Sequence, residues 1–275
     1  MIPFHWLFPV SILAGFVGAM SGLGGGVVLT PALTWLGVDI KHAIAVSMLC
    51  IIATSSGSAS VYVRRHLVNL KAGMFLEMFT ILGALTGATL TLLISSRFLY
   101  LAFGSVLLGS WMALIRTKRQ NGQPTPQDRF SHWLELEGSY PDQAQGETIH
   151  YQGRRAYLGA PAMFGAGMIA GLLGIGAGAV KVLIQDLIMG FPPKVSTTTS
   201  NFMIGVTALA GASVYLAAGL INVGLAAPVI LGVILGAWLG TRLLVRLTNQ
   251  AVRRFFLLIL LILAAEMVIR GLRGA

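Results

Sequence analysis

Eight apolar segments run through this 275-residue chain, at about 5–37, 42–63, 72–95, 98–115, 156–190, 195–218, 222–245 and 252–269, each at least 18 residues long. A helix needs about 20 such residues to cross the hydrocarbon core of a bilayer. The chain therefore reads as an all-α polytopic membrane protein. Composition agrees: 10% of residues are charged and mean hydropathy is +0.81, against about 25% charged in an ordinary soluble domain. Secreted disulfide-stapled and disordered classes fall away as well. The single Cys50 lies within an apolar run, can form no internal disulfide, and reads as a packed free thiol.

The net charge is +10, from 19 Lys plus Arg against 9 Asp plus Glu. In a soluble protein that excess would suggest nucleic acid, but no base-stacking module or basic repeat accompanies it, and basic loops held on the cytoplasmic side account for it better. The N-terminus MIPFHWLFPV has no basic stretch and no small-residue cleavage signal, so no cleaved signal peptide is expected.

One polar stretch, residues 117–155, interrupts the apolar pattern with Pro124, Pro126, Pro141 and several acidic residues. It reads as a cytoplasmic linker. Strand-like alternation over Ser131–Glu137 and Thr148–Gln152 suggests a β-hairpin within it.

On either side of that linker the chain repeats itself. GFVGAMSGLGGG at 15–26 matches GMIAGLLGIGAG at 167–178 with an offset of 152, and from Gly37 the offset becomes 153. Over positions 37–90 there are 17 identities at that offset, including Lys41/Lys194, Ser47/Ser200, Thr54/Thr207, Tyr62/Tyr215, Asn69/Asn222, Gly83/Gly236 and Gly87/Gly240. Shared apolar composition alone would give far fewer polar and glycine matches. The chain is thus expected to hold two transmembrane repeats, 1–116 and 156–275.

The first segment of each repeat is too long for one crossing, since residues 3–37 as a straight helix would measure about 52 Å against a core of about 30 Å. Glycines 22, 24, 25 and 26 break it, and a re-entrant hairpin with its turn at mid-membrane fits the length. Each repeat then has three crossings and one hairpin, an odd count that inverts the second repeat relative to the first. That arrangement places fourteen basic residues on one face and four (Lys41, Arg97, Arg270, Arg273) on the other, with Lys181 inside. Four whole crossings per repeat would give eleven against seven. The sharper split favours inverted repeats with the linker in the cytoplasm and both termini outside.

Inverted repeats with broken helices recur in secondary transporters, where half-helix N-termini offer free N–H groups to an anion near the midplane. The candidate binding positions are the two glycine runs (Gly22, Gly24, Gly25, Gly26; Gly174, Gly176, Gly178) and Lys181, three residues after the second run. A buried lysine needs a counter-charge; an anionic substrate or Asp186, five residues on, would supply one. Hydroxyl- and amide-bearing residues on the following helix of each repeat, Ser47 and Thr54 in one and Ser200, Asn201 and Thr207 in the other, are further candidates, though Ser and Thr also bond the preceding helical turn. Glu77, two turns into its helix, is a candidate for proton coupling or for a structural polar contact; Glu266 reads as interfacial. Gly83/Gly87 and Gly236/Gly240 read as close helix packing. The five histidines show no metal spacing and no nucleophile–base pair emerges, so neither a cofactor nor enzymatic chemistry is expected.

The duplicated LAGFVGAMSGLGGGVVLTPAL and MIAGLLGIGAGAVKVLI, each followed by a Ser/Thr-bearing helix (AVSML; TTTSN) and a later Asn (Asn69; Asn222), resemble the TauE/SafE family of sulfite and organosulfonate exporters over nearly the whole chain apart from the linker. The long linker and Lys181 depart from the usual family pattern. The resemblance implies a multi-pass permease of the cell inner membrane for small sulfur-containing anions such as sulfite, thiosulfate or sulfoacetate, working by alternating access, with direction, coupling and homo-oligomerisation open. A non-transporting membrane sensor or scaffold that signals through the linker is the rival reading.

Overall fold

A computed structural model describes residues 4–21, 24–116, 128–142, 146–246 and 249–273. Five of the described helices are long and apolar enough to cross a membrane, Ile40–Arg64, Leu70–Leu93, Ala156–Leu173, Pro193–Ala217 and the Val223–Leu243 part of a 24-residue helix, and the protein is a multi-pass membrane protein. In chain order the elements are α1 (Phe4–Ser21), α2 (Gly26–Trp35), α3 (Ile40–Arg64), α4 (Leu70–Leu93), α5 (Ser96–Arg116), α6 (Arg129–Trp133), β1 (Glu137–Asp142), β2 (Glu147–Gln152), α7 (Ala156–Leu173), α8 (Gly178–Leu183) running into a π turn (Ile184–Ile188), α9 (Pro193–Ala217), α10 (Val223–Arg246) and α11 (Asn249–Arg273).

Local signals set the helix ends. The side chain of Asp39 accepts from Lys41 N at 2.9 Å, and those of Asn69 and Asn222 accept from Ala72 N at 3.0 Å and Leu225 N at 3.2 Å. The duplicated asparagines are thus N-caps, which satisfy N–H groups that have no carbonyl partner within the helix. Pro192 and Pro193 open α9, where a missing N–H costs nothing.

The breaks after α1 and α7 reverse the chain. A methyl group on Gly18 would sit 2.3 Å from Gly25 N, so the start of α2 lies against the last turns of α1. In the second repeat Arg154 N, just before α7, donates to Met189 O at 3.0 Å, which brings the end of the π turn back to where α7 began. Gly174 and Gly176 adopt φ +66° and +64°, the left-handed region that glycine enters without a Cβ clash, and Gly24 adopts φ +73°.

Helix pairing respects the duplication: α1 packs on α10 and α4 on α7, α3 packs on α9 and α5 on α11, and α3·α10 matches α4·α9. Exchanging the two repeats leaves that set unchanged. The contacts are close because glycines face backbone: a methyl on Gly83 or Gly87 would come within 2.1 Å and 2.0 Å of Phe164 O and Met168 O, and one on Gly236 or Gly240 within 2.0 Å and 2.6 Å of Ile12 O and Phe16 O. The packing reading of these glycines holds. Outward faces carry exposed Met74, Met78 and Leu82 on α4 and Leu231, Leu235 and Trp238 on α10, while Ser47, Thr54, Lys181, Asn201 and Thr207 are buried. Apolar outside and polar inside is the distribution a bilayer requires.

The linker carries an antiparallel hairpin paired from Glu137↔Gln152 to Asp142↔Glu147. Thr148–Gln152 is strand as expected, but Ser131–Glu137 is not. Asp128 accepts from Ser131 N at 3.1 Å and Ser131 Oγ at 2.7 Å, and this cap starts the single turn of α6. The strand begins only at Glu137 and runs through Pro141, which a two-stranded sheet tolerates because one edge needs no partner. Leu136 and Tyr140 are buried against Tyr62, Leu67, Leu76, Met163 and Phe191, so the hairpin is docked on the bundle.

Candidate functional site

The two glycine breaks meet. A methyl on Gly26 would stand 2.6 Å from Gly174 O, and Val27, Ile175 and Ala179 share one buried cluster with Ile44, Ile51 and Ile204. Ile51 and Ile204 are repeat partners at offset 153, and both lie against both tips: a methyl on Gly24 would meet Ile204 Cδ1 at 2.8 Å and Ile51 at 3.3 Å, one on Gly176 Ile204 at 3.3 Å and Ile51 at 3.5 Å. The turn of each hairpin is thus covered by an isoleucine pair. Gly25 lies near Thr54, 3.1 Å from a would-be methyl to Oγ1. Gly22 lies outside the described residues.

Lys181 sits in the first turn of α8 with no exposed surface, and its counter-charge comes from the other repeat: Nζ stands 3.3 Å from Oε2 of Glu77 on α4. Asp186 is not that partner. Lys181 Nζ also donates to Thr207 Oγ1, and the Thr207 hydroxyl in turn faces Glu77 Oε1. Thr80, one turn beyond Glu77, donates to Oε2 at 2.7 Å. Two carboxylate oxygens, two hydroxyls and one ammonium form a closed polar knot among α4, α8 and α9. A charge pair buried to this degree is held together by attraction that water would otherwise screen, and its removal from water is costly.

Of the remaining candidates, Ser47, Ser200 and Asn201 each bond to one hairpin or its flank. Ser47 accepts from Thr30 Oγ1 on α2 at 2.9 Å. Ser200 Oγ reaches Gly178 O at 3.5 Å, at the start of α8. Asn201 Nδ2 donates to Ala19 O in the last turns of α1 at 2.9 Å, while its Oδ1 is buried without a hydrogen-bond partner. Thr54 Oγ1 back-bonds to Cys50 O at 2.8 Å, the alternative that helical hydroxyls always have. Thus Glu77, Lys181 and Thr207 are brought together, and Ser47, Ser200 and Asn201 are distributed around the two hairpins.

Four features escaped the sequence reading. Tyr62 OH donates to Ala19 O at 3.0 Å and Tyr215 OH to Gly171 O at 2.6 Å, so the duplicated tyrosines tie equivalent carbonyls at the ends of α1 and α7. Their identity in the repeat was the available signal. The Ile51/Ile204 pair carried the same signal. Thr80 was findable as the residue three positions after a buried acid on a helix. Gln185 lies one turn past Lys181 on the π turn, fully buried, with Nε2 3.8 Å from Met203 Sδ and Oε1 without a hydrogen-bond partner; nothing in the sequence marks a π turn, although such turns frequently fall at functional sites. Among the described residues no group of three His, Cys, Asp or Glu is placed to hold a metal ion.

Comparison with known proteins adds an independent line. The model of the family described as sulfite exporter TauE/SafE matches residues 7–267. The chain is 27% identical over 274 residues to the probable membrane transporter protein YunE of Bacillus subtilis (strain 168), covering 97% of each. It is 24% identical over 237 residues to the probable membrane transporter protein YdhB of the same organism, 86% of each. It is 22% identical over 267 residues to the probable membrane transporter protein YfcA of Escherichia coli (strain K12), 95% of this chain and 88% of that protein. No solved structure matches.

Proposed function

The chain belongs to the sulfite exporter TauE/SafE family, and on that premise we propose that it is a secondary transporter of small sulfur-containing anions, sulfite, thiosulfate, sulfoacetate or another organosulfonate, working by alternating access. The observation that carries the reading is the meeting of the two glycine breaks, Gly26 against Gly174, with a fully buried lysine three residues past the second run. A ligand site built where two broken helices meet is the arrangement that secondary transporters use, and a lysine buried there favours an anion.

In this reading the breaks are re-entrant hairpins and the repeats are inverted. The reversal of the chain at both breaks supports it, because a hairpin contributes no net crossing and leaves three per repeat. The charge asymmetry of the loops then sets the linker in the cytoplasm. The substrate site comprises the backbone of Gly24, Gly25, Gly26, Gly174, Gly176 and Gly178 together with Lys181, Thr207, Ser200 and Asn201, with Ser47 and Thr54 around the first hairpin. Opening of Ile51 and Ile204 away from the tips would admit the anion from one side and then the other.

Purified protein in proteoliposomes tests the reading: flux of at least one of sulfite, thiosulfate, sulfoacetate and isethionate above protein-free vesicles is expected. No flux of any of them would retire the sulfur-anion assignment. For topology, single cysteines at Gln123 and Ala275 in a Cys50→Ser background should label from the cytoplasmic and outer sides respectively; labelling of both from one side would restore four crossings per repeat.

A further inference from the structure

We propose that Glu77 is an internal stand-in for the substrate: carboxylate and anion compete for the Lys181 ammonium, and each anion bound is accompanied by one proton taken up on Glu77. The proposal rests on the reading of the protein as an anion transporter and adds its coupling chemistry.

Three observations carry it. First, the pair is not needed to close the fold. The positions equivalent to Lys181, Glu77, Thr207 and Thr80 in the other half are Leu29, Ile230, Thr54 and Val233, and that half closes as an apolar cluster containing Leu29, Val233 and Ile230. Apolar side chains of similar volume are commonly as stabilising as a buried ion pair or more so, so scaffold stability gives no reason for the charges. Second, Glu77 is held loosely by the lysine. One oxygen stands at 3.3 Å from Nζ, longer than the 2.7–2.9 Å or so of a good charge-assisted bond. Third, the hydroxyls around the carboxyl can serve either protonation state. Thr80 Oγ1 has Glu77 O at 3.0 Å as a second acceptor and Thr207 Oγ1 has Met203 O at 3.2 Å. When Glu77 is ionised both hydroxyls can donate to it. When it is protonated they can turn to those carbonyls and accept its O–H, with no backbone movement.

The exchange balances. The ionised pair, a free monovalent anion and a solvent proton go to a neutral Glu77 carboxylic acid and an anion paired with the Lys181 ammonium. No covalent bond changes except the O–H formed on Glu77, and the total charge is zero before and after. Gln185, one turn along from Lys181 with unspent hydrogen-bonding capacity, is placed to orient an oxyanion beside the ammonium. The other ionisable side chains on the surrounding elements are Lys71 on α4, paired with Glu135 at the surface, Asp186 on the π turn, Lys194 and Tyr215 on α9, Lys41, His42, Cys50, Tyr62 and Arg64 on α3, Tyr157 on α7, and Arg97, Tyr100 and Arg116 on α5.

The test is proton uptake on binding. Isethionate stays monovalent throughout the neutral range, so any proton taken up belongs to the protein. Calorimetric titration of the purified protein with isethionate, in two buffers of different ionisation enthalpy, should report one proton absorbed per anion bound. Anion affinity should fall about tenfold for each unit rise in pH in the range where Glu77 is ionised in the free protein. Glu77→Gln should bind with no proton uptake and a flat pH profile. Binding of isethionate to the wild-type protein without proton uptake overturns the proposal whether or not Glu77→Gln folds, and so does absence of binding in a preparation that transports isethionate. Absence of flux for all four anions overturns the sulfur-anion reading instead.

Discussion

Two regions related by the internal duplication solve the same packing problem with opposite chemistry. Around the first hairpin, Leu29, Ile230, Val233 and Thr54 close the junction of α2, α10 and α3, and the threonine merely back-bonds to Cys50 O. Around the second, the equivalent positions are Lys181, Glu77, Thr80 and Thr207, and the threonine is drawn into an ion pair. What is shared, the glycine contacts, the tyrosine ties and the asparagine caps, holds the frame. What differs is not required by the frame, and it is where our proposal sets the chemistry.

The largest effect expected is one that ignores the difference. Gly15→Leu and Gly167→Leu would each drive a side chain into backbone, since even a methyl would stand 2.2 Å from Val233 O and from Thr80 O. Both should lose about 3 kcal/mol or more and fail to accumulate as folded protein, measured by the monodisperse fraction after solubilisation. If only one fails, the two halves are not packed equivalently.

Next comes the asymmetry itself. Lys181→Met strands a buried carboxylate and should destabilise by about 3 kcal/mol, whereas Leu29→Met, a swap of similar volume in the other half, should cost under about 1.5 kcal/mol. Denaturant unfolding in detergent compares them. Equal costs would mean that the ion pair contributes nothing particular.

A smaller contrast concerns the tyrosines. Ala19 O accepts from both Tyr62 and Asn201, while Tyr215 serves Gly171 O. Tyr215→Phe should cost about 1 kcal/mol, the net worth of one buried hydrogen bond, and Tyr62→Phe less. The reverse order would show that Asn201 does not share the load.

Of similar size but opposite sign is the effect expected at Ala177, which adopts φ +48° where the first repeat has Gly25 at φ −58°. A left-handed alanine costs roughly 1 kcal/mol, so Ala177→Gly should raise stability by up to that amount. No gain would mean that contacts of the methyl group offset the strain.

The smallest effect lies in the linker, away from both halves. Burial acts to raise the Asp128 carboxyl, but hydrogen bonds from Ser131 and the Arg155 N–H outweigh it and hold the group below its ordinary value. That contribution is present above the unfolded value near about 3.9 and is lost as pH falls through the lowered folded value. Hydrogen exchange of the hairpin amides should therefore quicken in acid before that of α3 or α9.

The frame was legible because it is written twice. Glycines at 83 and 236, tyrosines at 62 and 215, and asparagines at 69 and 222 recur at one offset, and any role they share must suit both copies. The ion pair was not legible for the converse reason. Lys181 and Glu77 lie 104 residues apart in different repeats, and neither has a charged counterpart, so the duplication cannot pair them. A helical wheel weighs only local partners such as Asp186, and the true partner arrives from α4 through tertiary packing. The linker shows the same limit on a smaller scale. Alternation over Ser131–Glu137 suggests a strand, but Asp128 caps a helical turn there and accepts from Arg155 N, 27 residues away.

The central claim, that the charged half carries the anion site and the frame does not need it, is tested most directly by making the two halves alike. Lys181→Met combined with Glu77→Leu removes both charges at once and leaves no stranded partner. The account predicts that this double variant inserts and unfolds like the wild-type protein while anion flux in proteoliposomes falls to the level of protein-free vesicles. Flux at the wild-type rate from the folded double variant would contradict it.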